Sequence, residues 1–155
     1  MSARAASRLE RLGFTVYRYQ AGRADWFAAG LTREGRDANV PRVADVAKRD
    51  LQTCRLDERL GDVRDRVDGD AGEPLIIVDS DRVVLGLVNA EALASEPMTP
   101  FEEVMDPGPV TFRPNLRTGQ VPDYFKKQGI RHALVTTSDG VLIGLLRLHP
   151  GHDDA

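Results

Sequence analysis

The stretch SDRVVLGLVN, Ser80 to Asn89, returns fifty-eight residues later as SDGVLIGLLR, Ser138 to Arg147. Read with the residues before them, PLIIVDSDRVVLGLV and HALVTTSDGVLIGLL each hold two short apolar, β-branched runs around a turn, the pattern of a hairpin. The recurrence reaches further than the hairpin. Sliding the chain by 58 residues aligns Asp45–Leu87 with Glu103–Leu145 without a gap. Thr53 then meets Thr111, Arg55 meets Arg113, Arg59 meets Arg117, Gly61 meets Gly119 and Asp65 meets Asp123. Ser80 and Asp81 meet Ser138 and Asp139, Val83 meets Val141, and Gly86-Leu87 meets Gly144-Leu145. A repeat decides the fold before any local reading does. Two copies are too few for a solenoid, but they suffice for a pseudo-two-fold pair in which each copy covers the other's exposed apolar face.

Each copy reads alike. A short helical turn, RVADVAK or FEEVMD, leads to a brief extended piece at Thr53-Cys54 or Val110-Thr111-Phe112. A helix follows. In copy two Val121, Tyr124, Phe125 and Gln128 fall at helical spacing and Gly129 is a natural stop; in copy one Leu60, Val63 and Val67 share a face that ends in a Gly- and Asp-rich break. After the hairpin, NAEALASE predicts a closing helix for copy one, whereas RLHPGHDDA is broken by Pro150 and Gly151. The expected fold class is mixed α/β (α+β), two βαββα repeats over 39–98 and 99–155, the second with a polar tail, preceded by an appendage over 1–38.

The 155 residues provide for one domain or a compact pair of half-domains. No apolar run approaches the roughly 20 residues of a membrane span, and MSARAASRLERLG has no apolar stretch behind its basic residues to act as a secretion signal. The expectation is a cytoplasmic protein without membrane contact. A lone cysteine, Cys54, excludes an internal disulfide and a cysteine-based zinc site. Net charge is −3; residues 1–38 hold seven Arg against four acids, a charge of +3, which leaves −6 on residues 39–155. Sequence-independent nucleic-acid binding needs a concentrated basic face, and none is written here. Arg outnumbers Lys eighteen to three, which fits a GC-rich bacterial genome and a solvated surface.

The order of these pieces, an apolar pair before a loop (Val46; Val104-Met105), a threonine-centred extended pair, a helix, then PLIIVD and LGLV, resembles a cystathionine β-synthase (CBS) domain, and the tandem resembles a CBS pair over residues 39–150. GIRHALVTTSDGVLIGLL is similar to the family's middle. The resemblance implies a non-enzymatic, regulatory module, in a homodimer, that binds an adenine nucleotide (AMP, ADP or ATP) or another phosphorylated ligand in the cleft between the copies and reads it out for a regulated partner protein, with no cofactor required. It places ligand contacts at Thr53, Cys54 and Asn89 of copy one and at Thr111, Phe112, Arg131, His132 and Arg147 of copy two.

The family's signature after the second hairpin strand runs Gly-x-x-Thr or Ser-x-x-Asp, the carboxylate holding ribose hydroxyls through strong charge-assisted bonds. This chain departs from it twice: Gly86 is followed by Asn89 and Ala92, Gly144 by Arg147 and Pro150. With no carboxylate, ordinary ribose recognition is not expected. Arg147 is a cation where an anion would lie, and Arg131 and His132 add donors. Asn89 suits a base edge or a hydroxyl, and equally an N-cap before AEALA. A ligand-free dimerisation or docking scaffold is the alternative.

The segment ASRLERLGFTVYRYQAGRADWFAAGL reads as helix, strand, helix and resembles the closing part of a rhodanese-like domain through Gly13, Phe14, Val16, Tyr17, Gly22, Trp26, Gly30 and Leu31. The cysteine loop of a rhodanese stands upstream of this part, so the catalytic half is expected to be missing and a sulfurtransferase ranks third. CRLDER, Cys54 to Arg59, has the Cys-x4-Arg spacing of an anion loop but no glycine to curl the backbone. Cys54 also exchanges with Phe112 between copies, as a buried packing position does. No catalytic residue is assigned. About 38 residues cannot bury a core alone, so the segment must dock, with Trp26 and Phe27 as anchors and 32–40 as a polar linker. His149 and His152 in HPGHDD read as polar tail, since Pro150 and Gly151 prevent a helix from presenting both imidazoles, and no metal is expected. Asp68 to Glu73, DGDAGE, lacks the length of a calcium loop.

Overall fold

The computed structural model describes residues 3–17, 19–66 and 73–147. Helices α1 (Ala3–Arg11) and α2 (Gly22–Ala28) precede the repeats. Repeat one runs α3 (Val43–Val46), β1 (Thr53–Cys54), α4 (Leu60–Arg66), β2 (Leu75–Val78) and β3 (Val84–Val88). Repeat two runs α5 (Phe101–Val104), β4 (Thr111–Phe112), α6 (Val121–Gln128), β5 (His132–Thr136) and β6 (Leu142–Arg147). The result is two three-stranded sheets, β1-β2-β3 and β4-β5-β6, each with one parallel and one antiparallel pair. Val67, the Gly- and Asp-rich break and the His149/His152 tail lie outside the described residues.

The 58-residue offset governs the registers. Thr53 pairs with Ile76 as Thr111 pairs with Leu134, and the register slips between Ile77 and Val78 as it does between Val135 and Thr136. Three bridges between repeats obey the same offset: Lys48 meets Leu145, Asp106 meets Leu87, and Val83 meets its own counterpart Val141. A residue that pairs with its own equivalent lies on the pseudo-two-fold axis. Beside it, Val84 N donates to Gly140 O and Leu142 N to Arg82 O, again reciprocal.

Packing is reciprocal too. The core of repeat one (Cys54, Leu60, Val63, Leu75, Ile77, Val88) takes in Phe101 from α5, while the core of repeat two (Phe125, Ala133, Val135, Leu146) takes in Val43 from α3. Each repeat thus completes its neighbour's core with its own lead-in helix. A third cluster joins the sheets through Ile76, Val78 and Leu87 on one side and Leu134, Leu142 and Leu145 on the other. Alternation along β2 sends Leu75 and Ile77 inward to their own repeat and Ile76 and Val78 to the partner repeat, which is why this strand is apolar throughout.

Gly86 and Gly144 recur because the lead-in segments cross them. A Cβ on Gly144 would stand 2.7 Å from Lys48 O and 2.8 Å from Ala47 Cβ; one on Gly86 would stand 2.7 Å from Met105 Sδ and 3.0 Å from Asp106 O. The hairpin turns need a left-handed residue, supplied by Gly140 (φ 85°) in repeat two and by Arg82 (φ 63°) in repeat one.

Two expectations are corrected. The closing helix of copy one shrinks to a 3-10 turn, Ala92–Ala94, entered from Glu91 without a side-chain cap, so Asn89 is not its N-cap; its carbonyl accepts from Leu93 N instead. The strand of the N-terminal appendage does not form: Phe14–Tyr17 and Tyr19 pair with no sheet, and Phe14 and Tyr17 are exposed. Phe14 N donates to Leu9 O instead, and no strand of the described residues pairs with the segment.

The appendage is nevertheless anchored. Phe27 is buried, with the guanidiniums of Arg33 and Arg42 each 5.3 Å from its ring centroid. Trp26 Nε1 donates to Thr32 O at 2.9 Å and its ring meets Tyr19 edge-on. The polar linker is stitched down by Arg33–Asp45 (3.0 Å) and Arg117–Asp37 (2.9 Å).

Candidate functional site

The residues singled out in the sequence divide into three groups. Cys54 is buried in the core of repeat one, and Thr53 stands beside it on β1 with its side chain half-buried. Phe112 stacks on Phe125 and meets Tyr124 edge-on, so its ring belongs to the wall of repeat two. Asn89, just past β3, is exposed. The other four lie on the second sheet. Thr111 is exposed on β4, while Arg131, His132 and Arg147 gather where β5 begins and β6 ends.

The strand pairing builds this last group, because His132 is the register partner of Arg147. Repeat one adds to it. The Lys48 main chain exchanges two hydrogen bonds with Leu145, at 3.0 and 2.9 Å, and Lys48 Nζ is held by both Glu73 oxygens at 2.7 Å. Burial holds the His132 imidazole below its ordinary pKa, the Arg147 guanidinium lowers it further, Glu73 acts against both, and Arg131 adds to the lowering. Its Nε2 is buried without a hydrogen-bond partner. The cluster therefore holds two arginines, a lysine and an orphaned ring nitrogen against one carboxylate, an arrangement suited to an anion.

The pseudo-two-fold does not reproduce this chemistry. The offset carries Lys48 to Asp106, Glu73 to Arg131, His132 to Pro74 and Arg147 to Asn89. Lys48 and Glu73 were missed in the sequence; their signal was the charge inversion against Asp106 and Arg131.

A second feature lies at the opposite, hairpin end of the same sheet: a cavity of about 230 Å³. Val84 of repeat one and Gly140 form one wall and the Pro107-Gly108-Pro109 turn another. Thr111, Arg113, Thr136 and Ser138 supply its polar groups. Arg113 Nη1 donates to Thr137 O, which fixes the guanidinium. Among the described residues no group of His, Cys, Asp or Glu could hold a metal ion.

The CBS domain family model matches residues 101–149. No curated protein matches the chain. The chain is similar to the structure of a putative acetoin utilization protein (AcuB) from Vibrio cholerae, with a TM-score of 0.62 and 24% identity over 70% of this chain and 84% of that one. It is similar to the CBS domain pair of protein MJ0100 in complex with 5-methylthioadenosine and S-adenosyl-L-methionine, with a TM-score of 0.60 and 16% identity over 70% and 90% of the two chains. It is similar also to CBSX2 in complex with AMP, with a TM-score of 0.60 and 18% identity over 68% and 89%. The fold is that of a CBS-domain pair. The rhodanese-like resemblance of residues 1–38 gains no support from these matches. Among the described residues no helix is long and apolar enough to cross a membrane.

Proposed function

We propose that the chain is a regulatory module without catalytic activity, cytoplasmic and homodimeric, that binds an adenine nucleotide or another small phosphorylated ligand between its repeats. The observation that carries this reading is the cluster of Arg131, His132 and Arg147 with Lys48 and Glu73, in which a buried imidazole nitrogen lacks a partner beside three cations. The AMP-bound and S-adenosylmethionine-bound structures of the same fold support it. Asn89 and Arg147, standing where a hydroxyl residue of the ribose signature would be, shift the recognition from sugar to phosphate. Arg147 is the phosphate contact, His132 Nε2 accepts from a ligand donor while neutral, and Lys48 reaches the ligand from repeat one. Thr53, Thr111 and Asn89 border the inter-repeat face.

A melting-temperature screen with AMP, ADP, ATP, S-adenosylmethionine, NAD and cyclic dinucleotides tests it. A native-state ligand at a hundred-fold excess over Kd adds about 2.7 kcal/mol, which for a chain of this size raises Tm by about 5–10 °C. The loss of the ribose carboxylate at both signature positions favours one second reading, a ligand-free dimerisation scaffold. A flat screen together with a clean dimer in sedimentation would establish that reading instead.

A further inference from the structure

The cavity at the hairpin end of repeat two has chemistry of its own. Thr136 is 2% exposed and is the buried polar residue of the described chain. It lines the cavity. Its counterpart in repeat one is Val78, which packs in the joint between sheets. A position that the fold fills with valine on one side is a threonine beside a cavity on the other.

The neighbouring positions complete the contrast. Thr111, Arg113 and Ser138 recur as Thr53, Arg55 and Ser80, three of the identities that reveal the repeat. Pro107-Gly108-Pro109 and Gly140, by contrast, replace Arg49-Asp50-Leu51 and Arg82. On repeat two the shared polar set thus surrounds a space left open by small and ring-closed residues. Three hydroxyl-bearing residues and one arginine line it, no carboxylate is among its lining residues, and about 230 Å³ is small beside the roughly 300–1,000 Å³ of pockets for drug-sized ligands.

The geometry points to a second ligand site here, for a compact tetrahedral oxyanion such as inorganic phosphate or the phosphoryl group of a small ester. Arg113 supplies charge and forked donors, Thr111 and Ser138 donate from the rim, and the Thr136 hydroxyl donates from the floor. The site is separate from the Arg131, His132 and Arg147 cluster and stands whether or not that cluster binds a nucleotide.

The test is calorimetric titration of the full chain with inorganic phosphate at constant ionic strength, against chloride as control. Wild type should bind phosphate with one event per chain assignable to this cavity. Thr136→Val, which copies repeat one, should fold with unchanged Tm and weaken that event about ten-fold or more, the loss of one hydrogen bond to a charged group. Arg113→Gln should do likewise, and Arg55→Gln, its exposed counterpart in repeat one, should leave phosphate binding unchanged. Absence of phosphate binding to wild type, a cavity holding water only, would overturn the assignment. So would binding that survives Thr136→Val and Arg113→Gln but is lost in Arg147→Ala.

Discussion

Replacing Gly144 by alanine separates a steric account of the repeated glycine from any other. The new Cβ would stand 2.7 Å from the Lys48 carbonyl oxygen and 2.8 Å from Ala47 Cβ, both in the segment that crosses β6. Neither neighbour is the end of a flexible side chain, so the crossing segment must move as a whole. That movement strains the two hydrogen bonds between Lys48 and Leu145, each worth about 0.5–1.5 kcal/mol net, on top of about 1–3 kcal/mol for overpacking. The expected loss is about 2–6 kcal/mol. Gly86→Ala makes its closest approach to Met105 Sδ, which can swing aside, so its loss should stay near about 1–2 kcal/mol. Urea unfolding followed by circular dichroism reads both as shifts in midpoint at unchanged slope. Equal losses, or a smaller loss for Gly144→Ala, would refute the crossing-segment explanation.

Arg82→Gly should stabilise the chain by up to about 1 kcal/mol, because Arg82 holds φ 63° where its counterpart is already glycine; a lower Tm would contradict this. Phe101→Ala should cost about 3–5 kcal/mol, since α5 fills the core of the opposite repeat, and should expose both halves to protease together; cleavage confined to repeat two would oppose the exchange of lead-in helices. Phe27→Ala should cost far less than that globally but free residues 1–38, seen as a red shift of Trp26 emission at low urea and early proteolysis of that segment. For His132 the folded pKa lies below that of the unfolded chain, so the unfolded state binds more protons as pH falls. The stability it contributes is complete above about pH 6.5 and is lost below it, and His132→Gln should flatten that acid slope in urea midpoints.

The repeat was legible in part because some of its marks are backbone demands. Gly86 and Gly144 recur where a crossing lead-in segment leaves no room for a Cβ. The exchange of Val43 and Phe101 was not legible, because apolar helical turns look the same whichever core they enter. The strand expected at Phe14–Tyr17 failed for a similar reason: β-propensity describes a half-buried surface, and no strand of the described residues pairs with this segment. At the candidate site, Arg131, His132 and Arg147 were found through their place in the repeat. Lys48 and Glu73 were not, since their meeting depends on the crossing segment. The Thr136 cavity also escaped notice, because a threonine at the end of an apolar strand becomes informative only when its counterpart Val78 is seen to be packed.

The most direct test of the regulatory reading is calorimetric titration of the full chain with ATP and AMP, repeated on Arg147→Ala. The account predicts one binding event between the repeats, with ATP affinity falling about ten-fold or more in Arg147→Ala as a charge-assisted phosphate contact is lost while the Tm of the free protein stays put. No heat from either nucleotide, or ATP binding that Arg147→Ala leaves unchanged, would contradict it.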